Sequence, residues 1–123
     1  MKADIRFKVR LERAIRELKD AGYLVRVNSV YRSKAQQREL HQRWEEGDPQ
    51  VIAEPAPPGR SAHNFGMAAD LNLQPEDFDA LQQAAEDNGL AYPDPEGDPV
   101  HIELPNWRDL TKGWTPRGRL VNV

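Results

Sequence analysis

The chain of 123 residues is sized for one domain around one modest core. Charged residues make up 30% of it against 38% hydrophobic, lean but above the range of a disordered chain, so a folded unit spanning 1–123 is expected. A net charge of −3 with interspersed signs argues against the basic field that binds nucleic acid, and the absence of cysteine excludes disulfides and thiolate metal sites.

From Ile5 to Ala21 the apolar residues Phe7, Leu11, Ala14, Ile15 and Leu18 recur at helical spacing, and Gly22 stands where a left-handed cap is wanted. The interleaved Arg6, Lys8, Arg10, Arg13, Glu12 and Glu17 read as the solvated face of this first helix. "YLVRVNSVY" is β-branched and alternating, a strand ending near Ser29. Ser33 with Gln36 forms a capping box that opens a second helix with Leu40 and Trp44 as its apolar positions, closed by Gly47 and Asp48-Pro49. Prolines at 49, 55, 57 and 58 make the stretch from Gly47 to Ser61 a long surface loop, of a kind that often carries function.

"GMAADLNL" resumes as a strand, with Met67, Ala69, Leu71 and Leu73 on one face and Asp70 on the other. Pro75 opens a third helix running to about Asn88, with Phe78, Leu81, Ala84 and Ala85 inward and Gly89 as its stop. "VHIEL" reads as a short closing strand before a tail with Trp107 and Trp114. The order predicts an α+β domain, a small mixed or antiparallel sheet flanked by about three helices.

With three histidines in all, the segment "SAHNFGMAAD" sets His63 seven residues before Asp70, and His101 follows on a later strand. Two imidazoles and a carboxylate are a ligand set suited to a catalytic zinc. Asp98, three residues before His101, is a candidate general base, with Glu96 and Glu103 as competitors. Glu103 shares a strand face with His101 and could instead orient it. Each of these has an ordinary structural alternative, and His41 reads as part of a charged helix flank.

"SAHNFGMAAD" fits Ser-x-His-x-x-Gly-x-Ala-x-Asp and "DPVH" fits Asp-x-x-His; upstream, "VNSVYRSKAQQREL" carries Ser-x-Tyr-Arg-Ser with a following Gln and Leu. Over about residues 24 to 104 the chain thus resembles the zinc D-Ala-D-Ala carboxypeptidases and L-alanyl-D-glutamate endopeptidases that cleave peptidoglycan, relatives of the lysostaphin-type enzymes and of hedgehog amino-terminal domains. The resemblance implies a zinc held by His63, Asp70 and His101 and a catalytic base at Asp98, an Asp at this position being more like the endopeptidases of phage lysins. It also implies substrate contact by Arg32, with Ser61 and Gln37 shaping or lining the site. Peptidoglycan peptides are then the expected partner. The other reading of the motif is a non-catalytic zinc-binding module of the same fold.

No apolar run approaches the roughly 20 residues of a membrane span, and MKADIRFKVR lacks a signal-peptide core. The expectation is a monomer made in the cytoplasm that meets the cell wall after release or export.

Overall fold

The computed structural model describes residues 1–123. Its helices are α1 (Ile5–Asp20), α2 (Lys34–Glu45) and α3 (Phe78–Asp87), and its strands β1 (Lys2–Asp4), β2 (Arg26–Ser29), β3 (Ala68–Asn72), β4 (His101–Glu103) and β5 (Leu120–Asn122). All pairings are antiparallel, so the expected α+β class stands and the mixed sheet does not occur. β2, β3 and β4 form one sheet in that order; β1 pairs with β5 in a second sheet absent from the expected element order.

The core follows the two periodicities. α1 buries Phe7, Leu11, Ala14 and Leu18, and α3 buries Leu81, Ala84 and Ala85. These join Met67, Ala69 and Leu71 of the β3 segment and Ile102 of β4 in one apolar cluster. Since strand side chains alternate, Asp70 and His101 are turned to the opposite face. Each helix ends much as its sequence signs require. Asp4 accepts from Arg6 N to cap α1, and Ser33 and Gln36 make both hydrogen bonds of the capping box on α2. The third helix departs from expectation at its start, where Pro75–Asp77 form a separate 3-10 turn before α3.

α2 also differs in what it buries. Leu40 and Trp44 are only partly covered, and its one buried residue is Gln37. The helix therefore leans on the structure through an amide and not through an apolar stripe. No helix is long and apolar enough to cross a membrane.

Candidate metal centre and cleft

Three strands bring one row of side chains together. In the register of β2, β3 and β4, Ser29 lies opposite Asp70 and Asp70 opposite His101. The first pairing depends on an irregularity after Val27, which pairs with Leu71: one extra residue on β2, Asn28, restores Ser29 to the row of Asp70. Asp70 and His101 are then direct cross-strand neighbours, close enough to share a ligand.

His63 arrives from a different element. Ala62–Phe65 form a single 3-10 turn whose Ser61 side chain accepts from His63 N (3.2 Å) and which ends on Gly66 at φ 64°. A left-handed residue is needed to redirect the chain from this turn into β3, and glycine adopts it without strain. A Cβ at Gly66 would lie 2.7 Å from the backbone N of Asp4 and 2.6 Å from Leu120 Cδ2, so the position also demands a bare backbone.

The hydrogen bonds fix what each ring offers. His63 Nδ1 donates to the carbonyl of Val30 (2.6 Å), which leaves the Nε2 lone pair facing Asp70 Oδ1 at 3.2 Å. His101 Nε2 donates to Glu103 Oε1 (2.6 Å), which leaves Nδ1 facing the same Asp70 oxygen at 3.1 Å. Two imidazole lone pairs and a carboxylate thus converge, with ligand atoms all within 4.8 Å of one another. Three acceptors facing one another repel unless a cation or a proton lies among them. The donor set therefore fits a metal ion of zinc's preferences, with imidazole and carboxylate donors and no thiolate.

The electrostatics have the same origin. With no metal bound, protons take the place of the cation on the facing ring nitrogens: burial raises the Asp70 pKa, but the hydrogen bonds that His101 and His63 then donate, and their charge, outweigh it and hold the carboxyl well below its usual range. Burial disfavours the His101 cation, yet Asp70 and Glu103 prevail and push its pKa up to about 9. Asp98 is shifted upward, first by burial and then by the negative charge of Asp70.

Asp98 is half-exposed, with Oδ2 3.9 Å from His101 Nδ1. Its turn is held by Asp98 N donating to Asp94 O (2.9 Å) and by the Tyr92 hydroxyl donating to Pro99 O (2.7 Å). Arg32 reaches the row from the other side. Its Nη2 donates to Ser29 Oγ (3.1 Å) and lies 3.7 Å from Asp70 Oδ2, while Nη1 donates to Gln37 Oε1 (2.9 Å).

The expected ligands His63, Asp70 and His101, the expected base Asp98, and Arg32, Gln37 and Ser61 all line one cavity of about 470 Å3, together with Glu103, Trp107, Arg108 and a rim of residues 50–56. Two of them sit there differently from a substrate contact. Gln37 is buried and its amide is fully engaged, Oε1 with Arg32 and Nε2 donating to Ala56 O (2.7 Å), so it ties Arg32 to the rim. Ser61 Oγ is engaged with the backbone of His63. Of the two acidic competitors, Glu103 is a lining residue bonded to His101, and Glu96 does not line the cavity. His41 pairs with Glu45 on α2, away from the cavity.

Asn64 was missed. Buried, it accepts from Gly59 N (2.9 Å) and Ser61 N (3.3 Å) through Oδ1 and donates to Arg32 O (2.8 Å) through Nδ2. One amide thereby clamps the loop, the His63 turn and the Arg32 backbone together. The signal was present as Ser61-x-x-Asn64, a capping-box spacing with Asn in place of Glu or Gln.

Comparison with known proteins matches the profile described as VanY, D-alanyl-D-alanine carboxypeptidase, over residues 2–92. No curated protein matches the sequence. Among solved structures the chain is similar to VanYB in complex with D-alanine-D-alanine, at 22% identity and TM-score 0.70 over 89% of this chain and 75% of that one. It is similar to a mutant of the vancomycin resistance D,D-pentapeptidase VanY in complex with Zn(II), at 21% identity and TM-score 0.67 over 89% and 76%. It is also similar to the L-Ala D-Glu endopeptidase ChiX of Serratia marcescens, at 20% identity and TM-score 0.51 over 87% and 91%. At these identities the likenesses establish the fold. The profile match stops short of Asp98 and His101, which the turn after Tyr92 and β4 bring to the cavity.

Proposed function

The chain belongs to the VanY D-alanyl-D-alanine carboxypeptidase family, and on that premise we propose that it is a zinc-dependent peptidase of peptidoglycan stem peptides, with His63, Asp70 and His101 as ligands. The observation that carries this reading is the convergence of two imidazole lone pairs on the Asp70 carboxylate, with Asp98 and Arg32 on either side of it.

When bound, zinc supplies Lewis acidity, polarising a carbonyl and bringing the pKa of a water toward neutrality. Asp98 accepts the proton of the attacking water and hands it to the leaving amine. Its raised pKa suits both halves of that task, because a carboxylate closer to neutral accepts a proton more readily and still releases it. Arg32 is held at three points by Ser29, Gln37 and Asp70, and its planar fork presents the remaining N–H groups to a substrate carbonyl or carboxylate. Glu103 accepts from His101 Nε2 and so keeps Nδ1 turned to the centre. Gln37 and Ser61 position Arg32 and His63 respectively.

An Asp before the last histidine inclines the reading to the L-Ala-D-Glu bond over the terminal D-Ala-D-Ala bond. Mass spectrometry of defined muropeptides, incubated with zinc and after chelation, tests reaction and bond together. The expected result is cleavage only in the presence of metal, at L-Ala-D-Glu. Asp98→Asn is expected to retain zinc while turnover falls by about 10²–10⁴-fold. Zinc retained without hydrolysis of any muropeptide would replace this reading with that of a binding module.

A further inference from the structure

The three-stranded sheet sets one guanidinium on each side of the metal-ligating trio. Arg32 stands beyond the end of β2, while Arg108 follows β4 and lines the same cavity. The two differ in what they touch. The arginine ion pairs of the molecule are those of Arg6, Arg32 and Arg43, which leaves Arg108 without a carboxylate partner.

What fixes Arg108 is an aromatic surface. Its Cζ lies 4.4 Å from the centroid of the Trp107 ring. Trp107 is itself immobilised: it is 5% exposed, its Nε1 donates to Glu103 Oε2 (2.7 Å), and its ring stacks on Phe65 with centroids 5.9 Å apart. A guanidinium that lies on a ring keeps its in-plane N–H groups free, and the stacking restricts the side chain before any ligand arrives. Arg60 also lines the cavity, but no ring holds it there. In a chain of net charge −3, an unpaired, pre-positioned cation on the wall of the cleft is a recognition element for an anion.

We infer that Arg108 determines substrate specificity by binding a carboxylate carried by the peptide on the β4 side of the scissile bond, opposite Arg32. The inference rests on the peptidase reading above and narrows its substrate class. The preferred peptide is acidic on that side and extends across the ligand row, in place of one that is neutral there.

The test uses two stem peptides of the same sequence, one with a carboxylate and one with a carboxamide beside the scissile bond. Each is titrated calorimetrically into zinc-loaded Asp98→Asn protein, with Arg108 intact or substituted. With Arg108 present the carboxylate peptide binds about fivefold more tightly, the scale of one partly solvated ion pair. Arg108→Ala abolishes the preference and leaves the carboxamide peptide within about twofold, and Arg108→Lys restores only part of it because the planar fork is lost. Arg13→Ala on the exposed face of α1, a control for overall charge, keeps the full preference. In the otherwise unsubstituted enzyme Arg108→Ala raises KM for the carboxylate peptide and leaves kcat unchanged. A preference that survives Arg108→Ala, or one absent while Arg108 is intact, overturns the inference. Absence of hydrolysis by the unsubstituted zinc-loaded enzyme overturns the peptidase reading instead, and the binding comparison still decides the role of Arg108.

Discussion

His63 and His101 approach the same oxygen of Asp70 through different ring nitrogens, Nε2 and Nδ1, and each is oriented by what its other nitrogen donates to. In the metal-free protein His101 carries the proton of this balance, because Asp70 and Glu103 push its pKa up to about 9. The folded state therefore binds that proton more tightly than the unfolded chain, whose histidines titrate near 6.5. Stability from this source is complete below about pH 6.5 and is lost as pH rises through about 9, on the order of 3 kcal/mol in all. Urea unfolding of chelator-treated protein at pH 6 and pH 10 checks this; equal midpoints would contradict it. Zinc-saturated protein is expected to lack the dependence, since a ligating nitrogen no longer carries the proton. Asp98 bears on activity instead. Its pKa is raised by burial and by Asp70, so with Asp98 as the proposed base activity is expected to fall on acidification at a higher pH than an ordinary carboxylate would give, and Asp98→Asn is expected to remove that limb of the measured pH profile.

At the scale of elements, the turn Ala62–Phe65 is the part on which the centre depends most. It carries His63, and Gly66 ends it against Asp4 and Leu120. Gly66→Ala is expected to destabilise the protein by roughly 2–4 kcal/mol, from left-handed strain and from a Cβ driven into the Asp4 backbone, and to lower metal affinity with it. Thermal melting and zinc titration measure the two effects. A variant as stable as the parent would show that the turn can relax. The legibility of this region in the sequence has a physical cause: a 3-10 turn, a glycine and one strand are local, so ligand spacing survives as a pattern in ten consecutive residues. α1 and α3 were legible for the same reason, as period-3.6 stripes. Gln37 was not, because a buried amide on a polar helix looks like surface until Arg32 and Ala56 are found beside it. The irregularity at Asn28 was equally hidden, since it matters only in relation to β3.

Over the whole molecule, the unforeseen β1–β5 sheet closes the structure. Three-residue strands carry too little pattern to be read alone, and their partners are at opposite ends of the chain. The closure is reinforced from within. Asp4 is fully buried and accepts from the Arg6 guanidinium (3.0 Å) and from Trp114 Nε1 (3.0 Å). Trp114 also meets Phe65 edge-on, with centroids 5.2 Å apart. The tail is thereby packed on the turn that carries His63. Trp114→Ala is expected to cost about 3 kcal/mol, combining lost aromatic burial with a buried carboxylate deprived of one donor. The melting temperature records the loss, and Trp114→Phe, which keeps the ring but not the N–H, is expected to recover part of it.

The pairing of Lys2 with Asn122 also orders events in time. β1 can find its partner only after β5 has been made, and of the strand pairings this one closes the longest loop. The same strand carries Asp4, whose backbone N donates to the carbonyl of Gly66 (2.9 Å) at the end of the His63 turn. The support behind the His63 turn is therefore coupled to the synthesis of β5: a chain that stops short of Leu120 has its ligands in hand but lacks the strand pairing that braces β1 against that turn.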